Sequence, residues 1–139
     1  MIISDQKYDI SGHAITAQQQ RPALPVPAPR KGRKVMLRNA FAMKLHPGCE
    51  KEYKKRHDEI WPELSAQLKK AGVSDYSIFL DETTLTLFAA QQLSDDNTAD
   101  SLAQTEIVKK WWARMADIME TNPDNSPVCV HLQEVFHLD

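Results

Sequence analysis

The sequence predicts an α+β fold of the ferredoxin-like type, β-α-β-β-α-β, and three observations predict it. Four strand-like runs stand at Leu37–Leu45, Asp75–Leu80, Thr84–Gln91 and Val130–Leu138. Helical periodicity fills the gap after the first run and the gap before the last. Turn residues separate these stretches, and the resulting order is that of the split βαβ motif.

The first run alternates. Leu37, Asn39, Phe41, Met43 and Leu45 face one way, and Arg38 and Lys44 the other, as in a half-buried strand. Pro47-Gly48 ends it and opens a helix. On that helix Cys49, Tyr53, His57, Ile60, Leu64 and Leu68 recur every three or four residues and share one face. Lys51, Lys54, Lys55, Asp58, Glu59 and Lys69 fill the remainder. Pro62 lacks an N–H and its ring collides with the preceding turn, so a break is expected near Trp61, with Pro62 opening a second helical piece. Gly72 is the expected residue just past its end.

Asp75–Leu80 and Thr84–Gln91 read as two strands joined by a turn at Asp81–Thr83. A helical pattern returns over Thr98–Glu120, broken near Thr105, with Val108, Trp111 or Trp112, Met115 and Ile118 or Met119 on its apolar side. Asn122–Pro127 is a loop, and Val130–Leu138 the last strand. A sheet with helices on one face leaves the other face apolar and uncovered. A second copy is the simplest cover, so a symmetric homodimer with two sheets packed face to face is expected.

The composition shifts near residue 36. Residues 1–35 hold four of the eight prolines, six basic residues and two acidic ones, and none of the three tryptophans. Such a segment has little to bury and reads as a flexible, Pro-rich basic extension, leaving 36–139 as the folded domain. The chain has 139 residues, 42% hydrophobic and 26% charged, which fits a soluble globular protein. A net charge of −2 gives no reason to expect nucleic acid. No apolar run approaches the roughly 20 residues of a membrane span. The N-terminus has no apolar stretch of a secretory signal. Cys49 and Cys129 stand 80 positions apart, neither a metal spacing nor a disulfide framework, and read as reduced packing residues in a cytoplasmic protein.

His57 is the leading candidate for chemistry. It lies on the apolar helix face one turn from Tyr53, and an imidazole with a pKa near 6.5 exchanges protons at neutral pH. A phenol beside it can orient it or bond a substrate hydroxyl. The same spacing also suits a core histidine. Tyr76 is a second pocket hydroxyl or an ordinary strand tyrosine. Trp111 and Trp112 project about 100° apart on a helix, so one ring can enter the core while the other lines a cavity. Aromatic rings pack on the C–H faces of sugars, but the pair also serves plain packing. His131 and His137 share a strand face without a third ligand, so no metal site is expected. No phosphate-binding glycine loop, nucleophile elbow or HExxH is present.

Six segments together resemble the L-rhamnose mutarotase family. They are Arg38-Asn-Ala-Phe-Ala-Met43, Tyr53-Lys-Lys-Arg-His57-Asp-Glu-Ile-Trp-Pro-Glu-Leu64, Asp75-Tyr-Ser-Ile-Phe-Leu-Asp81, Lys110-Trp-Trp-Ala-Arg-Met115, Thr121-Asn-Pro-Asp-Asn-Ser-Pro-Val128 and Leu132-Gln-Glu-Val-Phe136. The likeness runs from about Met36 to Asp139; residues 1–35 have no counterpart in it. It implies a dimeric α+β barrel and a cofactor-free isomerase that interconverts the anomers of L-rhamnose. It also implies that His57 is the proton donor and that Tyr53, Tyr76, Trp111 and Trp112 bind the sugar.

Two other classes fit the fold prediction. One is a cofactor-independent monooxygenase of the same barrel type, acting on aromatic substrates in a more apolar cavity. The other is a non-catalytic ligand-binding module in which His57 and Tyr53 only pack.

Overall fold

The computed structural model describes residues 35–139. The extension expected over 1–35 therefore lies, except for Val35, outside the described residues. The elements run β1 (Met36–Lys44), α1 (Glu50–Asp58), α2 (Pro62–Lys70), β2 (Val73–Asp81), β3 (Thr86–Ser94), a 3₁₀ helix (Ala99–Gln104), α3 (Glu106–Met115) and β4 (Val130–Leu132).

The break between the first two helices falls where proline chemistry puts it. Trp61 is extended, with φ −62° and ψ 131°, and Pro62 occupies the first turn of α2. Gly72 follows the C-cap Ala71 with φ +91°. That left-handed conformation favours glycine, and a Cβ there would also collide with Ser94 Oγ and Asn97. Thr105 is extended and separates the 3₁₀ helix from α3.

The four strands form one antiparallel sheet in the order β2-β3-β1-β4. β1 and β3 pair along their whole length, from Met36 opposite Ser94 to Lys44 opposite Thr86. One face carries Phe41, Met43, Leu87, Ala89, Ile78 and Leu80. These pack with Tyr53 and Leu64 from α1 and α2, and with Val108, Trp111 and Met115 from α3. Leu45, Ile118 and Met119 close one end of this core.

The limits of β1, β2 and β3 fall within three residues of those expected, and two boundaries move further. The second helical stretch stops at Met115 rather than Glu120. The Ile118 N–H turns back to the Met115 carbonyl, and Met119 forms a bridge with Leu45, so the chain leaves the helix to seal the end of β1. The last strand covers Val130–Leu132 rather than Val130–Leu138. It lies at the sheet edge, where a strand has a partner on one side only. Beyond it Glu134 still reaches Arg38, at 2.7 Å and 3.1 Å, where the β1–β4 register would place it. Val135, Phe136 and Leu138 are exposed.

Candidate active site

The sheet and the three α-helices enclose a cavity of about 1040 Å³. His57, Tyr53, Tyr76, Trp111 and Trp112, the five residues singled out in the sequence, all line it.

Tyr53 and His57 are presented by α1. They stand four residues apart, hence one above the other on the helix. Their rings stack with centroids 4.3 Å apart and an interplanar angle of 29°. His57 Nδ1 lies 3.1 Å from the Tyr53 carbonyl oxygen. A carbonyl only accepts, so Nδ1 carries the proton and donates to it. In the neutral ring Nε2 then holds a free lone pair. Burial lowers the His57 pKa from its ordinary value, opposed by the hydrogen bond to the Tyr53 carbonyl and by the Asp58 charge. The resting imidazole at neutral pH is therefore uncharged.

α3 supplies the aromatic walls. Trp111 is buried, and its ring meets His57 edge-on with centroids 5.3 Å apart. Its ring also meets Trp61 edge-on, again at 5.3 Å. Trp112 is half-buried and packs beside the core. Both rings thus reach the cavity, Trp111 as part of the core and Trp112 at its margin.

Tyr76 arrives through a β-bulge. Ser74 pairs with Gln92 and Ser77 with Ala90, so Asp75 and Tyr76 together oppose Gln91. The extra residue is Asp75, whose φ of 45° is left-handed. In a regular strand Val73 and Tyr76 would point to opposite faces; the bulge brings both into the cavity. The ring of Tyr76 sits 6.5 Å from that of Phe41. Burial around its hydroxyl pushes Tyr76 up to about 12, although the residue as a whole remains 39% exposed. Burial raises Tyr53 further still. Both phenols therefore stay protonated across the physiological range. They can give and receive hydrogen bonds but cannot serve as phenolate bases.

Among the polar residues of the cavity wall, Asn39, Gln91 and Cys129 were not marked as site candidates in the sequence. Asn39 and Gln91 face each other across β1 and β3 and both line the cavity. A signal existed for Asn39, which interrupts an otherwise apolar row. Cys129 also lines the cavity. It is exposed rather than packed, and it directly follows the Thr121–Val128 segment of the family resemblance. Among the described residues no group of three or more His, Cys, Asp or Glu side chains is placed to hold a metal ion.

A half-buried, uncharged imidazole with one committed and one free nitrogen, beside two protonated phenols and two indoles, can move protons between hydroxyl and ether oxygens of a bound polar molecule. The model of one family, described as L-rhamnose mutarotase, matches residues 38–138. The L-rhamnose mutarotase of Bacteroides thetaiotaomicron is 60% identical over 104 residues, covering 75% of this chain and all of the relative. That of Lachnoclostridium phytofermentans is 58% identical over the same length and coverage. The crystal structure of an L-rhamnose mutarotase from Formosa agariphila superposes with a TM-score of 0.69 at 58% identity. The match covers 74% of this chain and 99% of that one.

Proposed function

The chain belongs to the L-rhamnose mutarotase family, and from that premise we propose that it interconverts the α and β anomers of L-rhamnose by acid–base opening and closing of the sugar ring at His57. The observation that carries this reading is the His57 imidazole itself. It faces an aromatic-walled cavity, its Nδ1 is held by the Tyr53 carbonyl, and its Nε2 is free.

Mutarotation breaks the bond between the ring oxygen and C1, lets the aldehyde rotate, and closes the ring on its other face. The ring oxygen gains a proton and the anomeric hydroxyl loses one. In the proposed mechanism Nε2 of His57 first takes up a proton from water; the resulting imidazolium gives it to the ring oxygen on opening, and the Nε2 lone pair recovers it on closing. Burial makes the imidazolium a stronger acid than a free histidine, while the Nδ1–H bond to the Tyr53 carbonyl steadies both forms. The raised pKa values of Tyr53 and Tyr76 favour the neutral phenol over a phenolate at the anomeric hydroxyl. A neutral tyrosine hydroxyl relays that proton to water on opening, and water returns one to the carbonyl oxygen by the same route on closing. The indoles of Trp111 and Trp112 hold the C–H face and the methyl group. A positioned acid–base group contributes about 10²–10⁴-fold.

The strand order β2-β3-β1-β4 with every neighbour antiparallel supports the ferredoxin-like reading. The outer face supports a homodimer. One row across all four strands reads Phe79, Phe88, Ala42, Val130, and three of these are exposed: Phe79 at 64%, Phe88 at 41% and Val130 at 62%. An apolar row of that kind on a single chain calls for cover, and a second copy supplies the matching surface. The free thiols of Cys49 and Cys129 support a reducing, cytoplasmic setting. Among the described residues no helix is long and apolar enough to cross a membrane. The monooxygenase and passive-binder alternatives gain nothing from the family match.

The test is saturation-transfer NMR on a panel of free sugars with the purified protein. Accelerated exchange between the anomers of L-rhamnose is expected. No acceleration with any sugar defeats the reading.

A further inference from the structure

The side chain beside His57 turns the other way and is one of the most heavily bonded on the molecule. Arg56 Nη1 and Nη2 grip both carboxylate oxygens of Asp117 at 2.7 Å and 3.2 Å. Its Nε donates to Glu52, one turn earlier on α1, at 2.8 Å. Nη1 also donates to the carbonyl of Arg114 in the last turn of α3. Only 13% of the Arg56 side chain is exposed, whereas Asp117 is 66% exposed. The two anions raise the Arg56 pKa and Arg56 lowers that of Asp117, as expected for mutual attraction.

These bonds link two elements that carry opposite parts of the site. Arg56 adjoins His57 in sequence on α1; Arg114 lies one turn beyond Trp111 on α3. The carbonyls of the last helical turn have no partner within the helix, so an arginine fork there fastens the C-terminal end of α3. Asp117 is held from a second side: its carbonyl lies 3.3 Å from His46 Nδ1, and the next carbonyl, that of Ile118, accepts the His46 N–H at 2.9 Å. The fork therefore closes on a fixed point at the end of the core.

Resting on the mutarotase reading above, we infer that Arg56 and Asp117 are positioning residues that set the His57–Trp111 spacing by clamping the end of α1 to the end of α3. The clamp touches no substrate. It acts through His57, whose Nε2 must meet the ring oxygen while the sugar lies against the indoles. Misplacing a reacting group by about 1 Å can cost up to about 100-fold in rate. A planar, forked, permanently charged group is needed here, because one cation must meet a carboxylate in two places, a second carboxylate and a carbonyl together. A lysine ammonium cannot cover that geometry.

The experiment compares Asp117→Asn, Asp117→Glu and Arg56→Lys with the unaltered chain. Asp117 is exposed, so its isosteric amide variant folds without burying anything new. Expected is an approximately tenfold fall in kcat for anomer exchange in Asp117→Asn and Arg56→Lys, with KM within about twofold. Asp117→Glu, which keeps a carboxylate, should restore most of the rate. In the sugar-free protein the nuclear Overhauser contact between the His57 and Trp111 rings should weaken in the two impaired variants. Unchanged kcat in Asp117→Asn, or lost rate with that contact intact, overturns the clamp. If the unaltered chain accelerates no sugar, the mutarotase reading fails instead, and the ring contact alone then decides the clamp.

Discussion

His57 Nδ1 donates to the Tyr53 carbonyl at 3.1 Å while the two rings lie stacked with centroids 4.3 Å apart, so a single helical turn fixes both the tautomer and the tilt of the imidazole. An i, i+4 pair on α1 thus sets the tautomer of the imidazole from within one helix.

Removing that group should separate fold from activity. His57→Asn keeps a polar side chain of smaller volume and is expected to retain the native circular dichroism spectrum. Anomer exchange of L-rhamnose, followed by saturation transfer, should fall by about 10²–10⁴-fold. Exchange at the original rate would remove His57 from the mechanism.

The same histidine should leave a signature in stability against pH. Burial holds its pKa below the ordinary 6.5 in the folded chain. Between the folded value and 6.5 the unfolded chain binds a proton that the native state does not, so stability rises with pH across that window. The contribution is complete above about pH 6.5 and is lost as pH falls through the folded value. Urea midpoints at about pH 8 and about pH 5 should differ less for His57→Gln than for the unaltered chain. An equal difference in both would contradict the depressed pKa.

The two indoles should behave differently. Trp111 is 9% exposed within the core, so Trp111→Ala should cost about 3–5 kcal/mol of stability in a denaturant titration. Trp112 is half-buried at the cavity margin. Trp112→Ala should melt within a few degrees of the parent but bind L-rhamnose about fivefold more weakly by calorimetry, roughly 1 kcal/mol of lost aromatic contact. Full affinity in Trp112→Ala would take that ring out of the site.

Gly72→Ala should be among the most damaging small changes. The left-handed φ of +91° alone disfavours alanine, and the added methyl meets Ser94 Oγ and Asn97. Backbone strain and overpacking together should lower stability by about 2–4 kcal/mol in a thermal melt. A melting point equal to the parent would show that the loop after β3 gives way freely.

The outer sheet face supplies a solution test. Phe79→Arg places a charge at the β2 end of the exposed row that runs from Phe79 through Phe88 to Val130. Sedimentation velocity should show a dimer for the unaltered chain and a monomer for the variant. Monomer for both would remove the homodimer.

Much of the fold was legible along the chain because its signals are local. Alternation at Phe41, Met43 and Leu45 marked the inward face of β1, and Pro62 marked the break between α1 and α2. Gly72 marked the end of α2. His57 and Tyr53 were readable as neighbours because helical spacing brings i and i+4 together wherever the helix goes. The bounds of β4 and α3 were not readable. An edge strand stops where backbone partners end, and α3 stops where Met119 bridges to Leu45, and both are contacts between distant segments.

By itself, then, the chain's pattern determined which residues share a face: the α1 stripe carrying Tyr53 and His57, the paired indoles, and the order of strands and helices. Only the tertiary structure decided what those faces meet. Folding placed Trp111 edge-on to His57, put an extra residue at Asp75 so that Tyr76 turns inward, and set Asn39 opposite Gln91. It also joined Arg56 to Asp117 across the ends of two helices. The reason is physical: periodicity is a property of one element, whereas register, bulges and ion pairs depend on where a second element comes to rest.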